Sequence, residues 1–246
     1  MAAPTFDPTL YRLVHRGNPG DVRFYLDQCR GAGTVLELGC GDGRLLRPLM
    51  AAGLAVVGLD RHAGMLAAAR AAARGSEPTL VCADMRALPF DRRFDRIVIP
   101  YNVLYCLADD DAVVACLRSV SCLLGAGGRL LFDVYTVEDD LAAGADAEAD
   151  FLVTVEDDGT VYDVYEHTAH DRAARRFAMT YVHVPRDAPA EAREYTLVHH
   201  YLDADSLPEL LLAAGLAPDE LWGGFDRRPY TEGAERIVVR AGRSRR

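Results

Sequence analysis

Short apolar runs alternate with longer helical patterns between Thr34 and about Asp133. Five uninterrupted runs are rich in leucine or β-branched residues, which is typical of strands that are buried on both faces. They read TVLEL, AVVGLD, TLVCAD, DRIVIPY and RLLFDVY. The segments between them have the apolar spacing, alanine content and closing glycines of helices. Strand alternating with helix predicts a mainly parallel sheet that helices cover on both sides.

The rest of the chain predicts three additions to this core, which we place at residues 34–150. Residues 1–33 show a helical pattern, interrupted at Gly17 to Gly20, and predict an N-terminal helical cap. Residues 151–202 alternate polar and apolar positions between the turn signals DDG, HDRA and RDAPAEA. This pattern predicts an antiparallel meander of about four strands, which serves as a lid or a dimerisation subdomain. Residues 203–246 predict a helix and a β hairpin that complete the core sheet.

The overall charge of the chain disfavours several classes of partner. The formal net charge is −10 and the pI is near 5.1. Because affinity for nucleic acid comes largely from Lys and Arg, we expect no nucleic-acid partner. No 18 uncharged apolar residues run together, so we expect no membrane partner. The acidic stretch TVEDDLAAGADAEAD predicts a helix fragment and a loop on a solvated face.

The six cysteines form no C-x-x-C pair, and most of them lie in apolar segments. A free thiol in such a segment behaves as a small hydrophobic group. This usage predicts a cytoplasmic protein. Because no group of His, Cys, Asp and Glu has the spacing of metal ligands, we also expect no metal.

The stretch ELGCGDGR places glycines at positions 39, 41 and 43 directly behind the first predicted strand. Glycines at the end of a parallel strand allow a ligand to approach the main chain closely, where the next helix presents unpaired N–H groups. The spacing G-x-G-x-G differs from the dinucleotide fingerprint G-x-G-x-x-G. The nearby acid, Glu37, suits a phosphate poorly. These features favour a ligand without phosphates.

Two more acids follow the next two strands. Asp60 ends the second strand, where a carboxylate can accept both hydroxyls of a ribose. Asp84 follows the third strand, where it can accept a hydrogen bond from an exocyclic amine while Met85 covers the base. Each acid alone often merely caps the next helix. Three acids around one glycine loop are harder to attribute to capping.

The segment from Val35 to Tyr135 resembles the catalytic domain of class I S-adenosylmethionine-dependent methyltransferases, of the small-molecule type that includes glycine and sarcosine N-methyltransferases. The matching stretches are VLELGCGDGR, GLDRHAGMLAAAR, CADMRALPF, FDRIVIPYNVLYCL and LLGAGGRLLFDVY. The resemblance implies an α/β fold, with a Rossmann-like, doubly wound and mainly parallel seven-stranded sheet and an inserted antiparallel β meander. It also implies S-adenosylmethionine as the cofactor and a small-molecule methyl acceptor.

The resemblance implies a set of cofactor-binding residues that surround the methionine, ribose and adenine parts of the ligand. They are Tyr11, Glu37, Gly39, Cys40, Gly41, Arg44, Asp60, Arg61, Met65, Asp84, Met85 and Tyr101. Within this set Arg61 and Met65 would flank the adenine. Arg44 would bind the cofactor carboxylate, or else form a salt bridge to a nearby acid. Asp42 departs from the threonine or serine that is common at its position.

Four residues are candidates for a catalytic role. The resemblance implies that Tyr11 closes over the sulfonium and that Asn102 holds the acceptor. Tyr105 either lines the methyl pocket or packs in the core. His200 is a candidate general base if the acceptor is a hydroxyl, although a structural histidine is the alternative. Because side chains alternate along a strand, we expect only one of His199 and His200 to point inward.

Other functions stay open at this point. A methyltransferase that acts on a protein or RNA shares the core, and an NAD-dependent oxidoreductase shares the sheet and the acid after the second strand. A non-catalytic binding protein on the same fold is a further alternative. A homodimer through the inserted strands is compatible with each of them.

Overall fold

A computed structural model describes residues 7–73, 77–137 and 149–244. The chain divides into two compact units. The core unit comprises residues 17–137 and 202–246, and the meander unit comprises residues 1–16 and 138–201. The helical cap predicted over residues 1–33 is therefore divided between the two units. Most of the acidic stretch that we expected to form a helix fragment and a loop lies outside the described residues.

The core unit is a seven-stranded sheet with helices between its strands. In chain order its elements are α2 (Asp21–Cys29), β1 (Thr34–Leu38), α3 (Leu46–Ala51), β2 (Ala55–Asp60), α4 (Ala63–Ala72), β3 (Thr79–Cys82), β4 (Phe94–Ile99), α5 (Asp110–Leu123), β5 (Leu124–Tyr135), α6 (Leu207–Ala213), β10 (Leu216–Trp222) and β11 (Arg236–Arg243). A short 3-10 helix, Val103–Cys106, follows β4. The fold class predicted from the sequence is confirmed.

The strands of this sheet lie in the order β10-β11-β5-β4-β1-β2-β3. The pairs β1–β2, β1–β4, β2–β3 and β4–β5 are parallel, and β11 is antiparallel to both β5 and β10. The order of the strands reverses between β1 and β4. In open α/β sheets ligands bind outside the carboxyl ends of the strands at such a switch point, which is the edge where the glycine loop follows β1.

One boundary differs from the sequence prediction. The apolar pattern over residues 110–128 predicts one helix, but α5 ends at Leu123 and the five residues 124–128 begin β5. Phe94 pairs with Leu124 and Arg96 pairs with Arg129, so β5 bulges where it meets β4. Glycines at 125, 127 and 128 permit this irregular start. Three-dimensional pairing therefore overrides the local helical pattern.

The meander unit is a four-stranded antiparallel sheet together with the first helix. Its elements are α1 (Pro8–Val14), β6 (Asp150–Asp157), β7 (Thr160–Asp171), β8 (Arg176–Pro185) and β9 (Arg193–His200). The strands lie in the order β6-β7-β8-β9, as the alternating pattern predicts. Helix α1 begins at an Asp7 side chain that accepts a hydrogen bond from the Thr9 N–H at 2.8 Å.

Each unit has its own hydrophobic core. In the core unit, buried side chains of α2 and α3 pack with β1, β4, β5 and β11, and include Phe24, Leu49, Val98 and Leu131. In the meander unit, Leu10 and Leu13 of α1 pack with apolar and aromatic side chains of the four-stranded sheet. Among the described residues, no helix is long and apolar enough to span a bilayer.

Candidate functional site

The loop after β1 is built from glycines in the left-handed region of backbone conformation. The φ angles of Gly39, Gly41 and Gly43 are 68°, 53° and 81°, values that residues with a Cβ rarely adopt. A Cβ on Gly39 would lie 2.3 Å from Cγ1 of Val103, so the turn after β4 packs directly on this loop. A Cβ on Gly41 would meet nothing within 4 Å. The main chain at Gly41 therefore faces open space.

Asp60, the last residue of β2, is hydrogen-bonded to this loop. Its Oδ2 accepts a hydrogen bond from the Gly41 N–H at 2.9 Å, and its Oδ1 accepts one from the His62 N–H at 2.8 Å. The N-cap of α4 is His62, whose Nδ1 lies 3.1 Å from the Met65 N atom and accepts its hydrogen bond. The capping role that Asp60 could have served thus belongs to His62. Each Asp60 oxygen keeps a lone pair for a further donor.

Glu37 is a buried acid directly below the loop. Its exposed fraction is 2%, and its Oε2 atom has no hydrogen-bond partner among the described residues. Burial raises the pKa of Glu37 to about 8, and the nearby positive charge of Arg44 only partly offsets this. A buried carboxyl oxygen without a donor is costly. The position is therefore suited to a ligand that brings a donor or a positive charge.

Arg44 forms a salt bridge with an acid that the sequence analysis did not single out. Its Nη2 lies 2.7 Å from Oδ2 of Asp21, and its Nη1 lies 3.1 Å from Oδ1 of the same carboxylate. Asp21 is 2% exposed. The guanidinium of Arg44 also lies over the Tyr101 ring, 5.3 Å from its centroid. Of the two roles expected for Arg44, the structure contains the salt bridge.

Several predicted adenine-binding residues differ in their surroundings. Met65 is buried and Arg61 is exposed. Asp84 and Met85 are half-buried. The Asp84 carboxylate accepts hydrogen bonds from Arg86, with Nη2 to Oδ2 at 2.6 Å, and this contact holds the pKa of Asp84 below its usual value. A base that is read by Asp84 would have to share this carboxylate with Arg86.

Cys40 directs its side chain away from the open face of the loop. The residue is 3% exposed, and its N–H donates to the Leu59 carbonyl at 3.0 Å. A Cβ on Gly58 of β2 would lie 2.8 Å from the Cys40 Sγ atom. Burial raises the pKa of the Cys40 thiol well above its usual value. Cys40 therefore contributes packing through its side chain and offers a ligand only its main chain.

The turn after β4 contains two consecutive non-glycine residues in the left-handed region. The φ angles of Tyr101 and Asn102 are 58° and 59°. The Tyr101 N–H donates to Oδ1 of Asp133 at 2.9 Å, and the Asn102 N–H donates to the Asp133 carbonyl at 3.2 Å. Oδ1 of Asn102 accepts from the Tyr135 N–H at 2.9 Å. These contacts join the turn to β5 and place both residues beside the glycine loop.

Tyr105 is a packed side chain in the structure. It is fully buried, its hydroxyl donates to the Tyr135 carbonyl at 2.9 Å, and its ring meets the Tyr135 ring edge to face. Burial raises the pKa of the Tyr105 hydroxyl well above its usual value. This environment matches the core-packing alternative that the sequence analysis left open for Tyr105.

Tyr11 and His200 both belong to the meander unit. The Tyr11 ring lies 4.2 Å from the His15 ring and 6.3 Å from the Tyr195 ring, measured between centroids. His200 lies at the end of β9, with Nδ1 3.3 Å from the Ala174 carbonyl oxygen. Tyr11 also packs against the hydrophobic core of the meander unit.

The expectation that only one of His199 and His200 points inward is wrong. The exposed fractions are 9% for His199 and 4% for His200, so both side chains are buried. They extend from opposite faces of β9. At this end of the strand the turn between β7 and β8 approaches His200 through Ala174.

Within the core unit, the structure therefore brings together the glycine loop, Asp60, Glu37 and the turn at Tyr101. It adds residues that sequence reasoning missed, namely Asp21, Tyr25, Asp133 and Arg236. The one available signal was Asp133, a lone acid inside the apolar run RLLFDVY. Among the described residues, no group of three His, Cys, Asp or Glu side chains could hold a metal ion.

Residues 35–128 match the family model described as a methyltransferase domain. YqeM of Bacillus subtilis, whose methyltransferase name is provisional, is 36% identical over 106 residues, and the match covers 42% of this chain and 43% of that protein. The chain thus spans less than half of this relative.

Two relatives from Streptomyces match over most of both chains. The cypemycin N-terminal methyltransferase of a Streptomyces species is 27% identical, with coverage of 84% of this chain and 81% of the relative. The dTDP-3-amino-3,6-dideoxy-alpha-D-glucopyranose N,N-dimethyltransferase of Streptomyces fradiae is 26% identical, with coverage of 87% and 85%.

Solved structures show the same fold. The CcbJ methyltransferase of Streptomyces caelestis superposes with a TM-score of 0.77 at 23% identity, and covers 93% of this chain and 97% of its own. CalS10, an amino pentose methyltransferase from Micromonospora echinaspora solved with bound S-adenosylmethionine, gives a TM-score of 0.69 at 20% identity, with coverage of 99% and 100%.

Proposed function

We propose that this chain is an S-adenosylmethionine-dependent methyltransferase that transfers the methyl group to an amine of a small molecule, a proposal that the match of residues 35–128 to a methyltransferase domain supports. The observation that carries the proposal is the open face of the glycine loop, where Gly41 and Asp60 are joined and Glu37 lies beneath. The relatives with amino-sugar and N-terminal acceptors support an amine.

The residues present fit the cofactor. Asp60 is held by two main-chain N–H groups and keeps lone pairs that can accept the two ribose hydroxyls. The open space at Gly41 admits a ligand against the main chain. The unpartnered oxygen of Glu37 can accept a donor from the positively charged methionine part. When bound, S-adenosylmethionine would supply a methyl group on a positively charged sulfur. The nucleophile would attack the methyl carbon on the side opposite the sulfur.

The turn at Tyr101 and Asn102 suits the acceptor. It lies against the glycine loop through Val103, and its polar groups are held by β5. Positioning a nucleophile at about 3 to 3.5 Å from the methyl group is the main source of rate in such a displacement. We assign the orientation of the acceptor to Asn102 and the wall of the methyl site to Tyr101. Tyr11 stays a predicted cover for this site.

An amine acceptor and a hydroxyl acceptor differ in their need for a general base, for which histidine is the usual residue. Six of the seven histidines lie in the residues of the meander unit, and the core unit contains only His62, which caps α4. A hydroxyl must lose its proton to a general base as it attacks, whereas a neutral amine attacks directly and loses its proton afterwards. His200 stays the candidate base for a hydroxyl acceptor. Retention of full activity in His200→Gln would support the amine.

Calorimetry with S-adenosylmethionine and S-adenosylhomocysteine tests the cofactor. We expect both to bind, and Asp60→Ala to weaken binding by about 100-fold, because two hydrogen bonds to a charged acceptor are lost. The matched control is Asp163→Ala, which removes a half-buried acid of the meander unit and is expected to leave the affinity unchanged. Absence of heat with either nucleoside, or binding of NAD alone, would contradict the proposal.

Labelled cofactor tests the acceptor class. The protein is incubated with methyl-labelled S-adenosylmethionine and either a panel of amino sugars and small amines or a size-fractionated extract. Label in the small-molecule fraction, assigned to an N-methyl group by mass spectrometric fragmentation of the product, is the expected result. An N-terminal amine of a larger chain is the second candidate, because the cypemycin N-terminal methyltransferase matches most of the chain. Label in protein only would select it, and label in RNA only would refute both.

We also propose that the chain forms a homodimer through β6. This strand is one edge of the four-stranded sheet, and it exposes Phe151, Leu152 and Val153 by 59%, 44% and 36%. An unpaired edge with exposed apolar side chains favours pairing with a second strand. Light scattering on the wild type and on Phe151→Lys tests this. The variant is expected to be a monomer, and a wild type that is monomeric at all concentrations would contradict the proposal.

The predicted cytoplasmic location is supported by the thiols. All six cysteines are free in the structure, and Cys29, Cys40 and Cys116 are buried. Disulfides are uncommon in a reducing compartment. Fractionation of cells that express the full chain would test the location, and recovery outside the cytoplasm would contradict it.

A further inference from the structure

The turn at Tyr101 and Asn102 needs an explanation for its conformation. Both residues carry a Cβ and both have φ near +60°, a region where L-residues other than glycine are strained. Asparagine tolerates this region better than tyrosine does. Such strain persists only where surrounding structure holds it, and it concentrates at functional sites. The question is which group holds this turn.

Asp133 of β5 is that group. The residue is 0% exposed. Its Oδ1 accepts hydrogen bonds from the Tyr101 N–H at 2.9 Å and from the Tyr25 hydroxyl at 2.6 Å, and its Oδ2 faces the Arg236 guanidinium at 3.4 Å. Its main-chain carbonyl accepts from the Asn102 N–H. One residue therefore holds both strained positions, through its side chain and through its backbone.

The surroundings of Asp133 orient its carboxylate. Tyr25 belongs to α2, where its ring is fully buried against Phe24 in an edge-to-face contact. Arg236 donates to Oδ1 of Asn18 at 3.0 Å and lies over the Phe225 ring, so it is also fixed. A buried carboxylate needs several donors. With donors from α2, the turn and β11, the orientation of the Asp133 carboxylate follows from three separate elements.

The Tyr101–Asn102 turn also sets the position of the glycine loop. A Cβ on Gly39 would lie 2.3 Å from Cγ1 and 2.7 Å from Cγ2 of Val103, so Val103 fills the space that this glycine leaves. The Tyr101 ring lies beneath the Arg44 guanidinium from the same loop. A shift of the turn would therefore move the wall that faces the proposed methyl group. Misplacement by about 1 Å can cost about 100-fold in rate.

We propose that Asp133 is a positioning residue for methyl transfer, which holds the Tyr101–Asn102 turn in its strained form without contacting the cofactor or the acceptor. This inference rests on the proposed function, because it concerns the geometry of the same site. It assigns a functional reason to a buried carboxyl that lies between apolar residues of β5.

The test uses the cofactor and its demethylated product, and it does not require the methyl acceptor to be known. S-adenosylmethionine and S-adenosylhomocysteine differ only in the methyl group and its charge, so the ratio of their dissociation constants reports on the wall facing the methyl group. In Asp133→Asn the side chain keeps one acceptor oxygen. The other oxygen is replaced by an NH2 group, which cannot accept a hydrogen bond from Arg236. We expect the ratio to change by about tenfold while the affinity for S-adenosylhomocysteine stays within about threefold.

A second variant and a spectroscopic signature keep the test decisive if Asp133→Asn folds poorly. Tyr25→Phe removes one donor from the same oxygen and is expected to change the ratio in the same direction by a smaller factor. The Tyr101 amide proton, which is donated to a buried carboxylate, is expected to resonate far downfield in the wild type and to move upfield in Asp133→Asn. The matched control is Asp219→Asn, an acid of β10 that has no contact with the turn.

The outcomes separate the two claims. A wild type that binds neither nucleoside overturns the proposed function, and this inference with it. A wild type that binds both, with variants that lose stability but keep the wild-type ratio, overturns the role of Asp133 alone. A changed ratio together with the upfield shift of the Tyr101 amide supports it.

Discussion

The core unit and the meander unit each bury titratable groups with strongly shifted pKa values. In the core unit two of them are carboxyls: burial raises the pKa of Glu37 to about 8 and that of Asp133 above its usual value. In the meander unit they include imidazoles, and burial lowers the pKa of His15 to about 3 and that of His199 to about 4. For these carboxyls and imidazoles, burial favours the uncharged form.

The consequence is that these carboxyls and these imidazoles make the stability of the fold depend on pH in opposite directions. A carboxyl with a raised pKa is neutral in the folded protein but charged in the unfolded chain between pH 4.5 and 8, so its contribution to stability is lost as pH rises through that window. A histidine with a lowered pKa is neutral in the folded protein while the unfolded chain gains a proton below pH 6.5. Its contribution is lost as pH falls.

The largest expected effect is at Glu37. We expect this one group to lower the free energy of unfolding by about 4 kcal/mol between pH 4.5 and pH 8, and Glu37→Gln to remove that slope because glutamine stays neutral. Urea denaturation at a series of pH values measures it. Glu209→Gln, on the exposed surface of α6, is the control and should keep the wild-type slope. Equal slopes for Glu37→Gln and the wild type would contradict the buried neutral acid.

The second effect concerns the ion pair of the core unit. Asp21→Asn leaves the largely buried guanidinium of Arg44 without its charged partner, and loss of one member of a buried pair costs about 3 kcal/mol. We expect a decrease of that size in the free energy of unfolding at pH 7, measured by urea denaturation. A decrease no larger than that of an exposed pair would show that water compensates for the lost partner.

The third effect is at His15 in the meander unit. We expect the wild type to lose about 2 kcal/mol from this group between pH 6.5 and pH 5. His15→Phe keeps the ring contacts with Tyr11 and Tyr181, loses the hydrogen bond to the Tyr195 hydroxyl, and should be less sensitive to acid. Thermal denaturation at pH 5 and pH 7 measures the difference. His167→Phe, at a half-exposed position of β7, is the control, and an identical acid response in the two variants would argue against a role of His15.

The smallest effect is expected at the exposed ion pair of the meander unit. Asp163 accepts hydrogen bonds from Arg186 and Thr154 on the surface of the sheet. Exposed pairs contribute little to stability because water solvates both charges. Asp163→Asn should leave the melting temperature unchanged at pH 7, in contrast to Asp21→Asn. A substantial decrease would mean that the two units do not differ in the way their ion pairs are solvated.

The sequence predicted the helices and strands of both units well, because hydrophobic periodicity and turn-forming residues are properties of neighbouring positions in the chain. The strands TVLEL and AVVGLD are β1 and β2 without a change of boundary, and the breaks DDG and HDRA lie at the first two of the three turns of the meander. It also placed Asp60 next to the glycine loop, because parallel strands end at one edge. The start of β5 was mistaken for the end of a helix, since pairing with β4 decides it.

What the sequence did not show depends on contacts between distant residues. Tyr25 and Asp133 are 108 positions apart, and Asn18 and Arg236 are 218 apart, yet each pair shares a hydrogen bond. No spacing rule links such positions. The same holds for Arg44, whose two expected partners could not be separated until α2 was placed beside the loop. Long-range packing, not local pattern, completes this site.

The carboxylate of Asp60 holds the glycine loop through Gly41 and, in the proposed function, also the ribose. Recognition of the nucleoside and the shape of the loop therefore share a single side chain. No single substitution at this position can redirect the protein to another nucleoside while leaving the loop as it is. A lineage that changed its cofactor here would need at least two coordinated replacements, one in the loop and one at the end of the second strand.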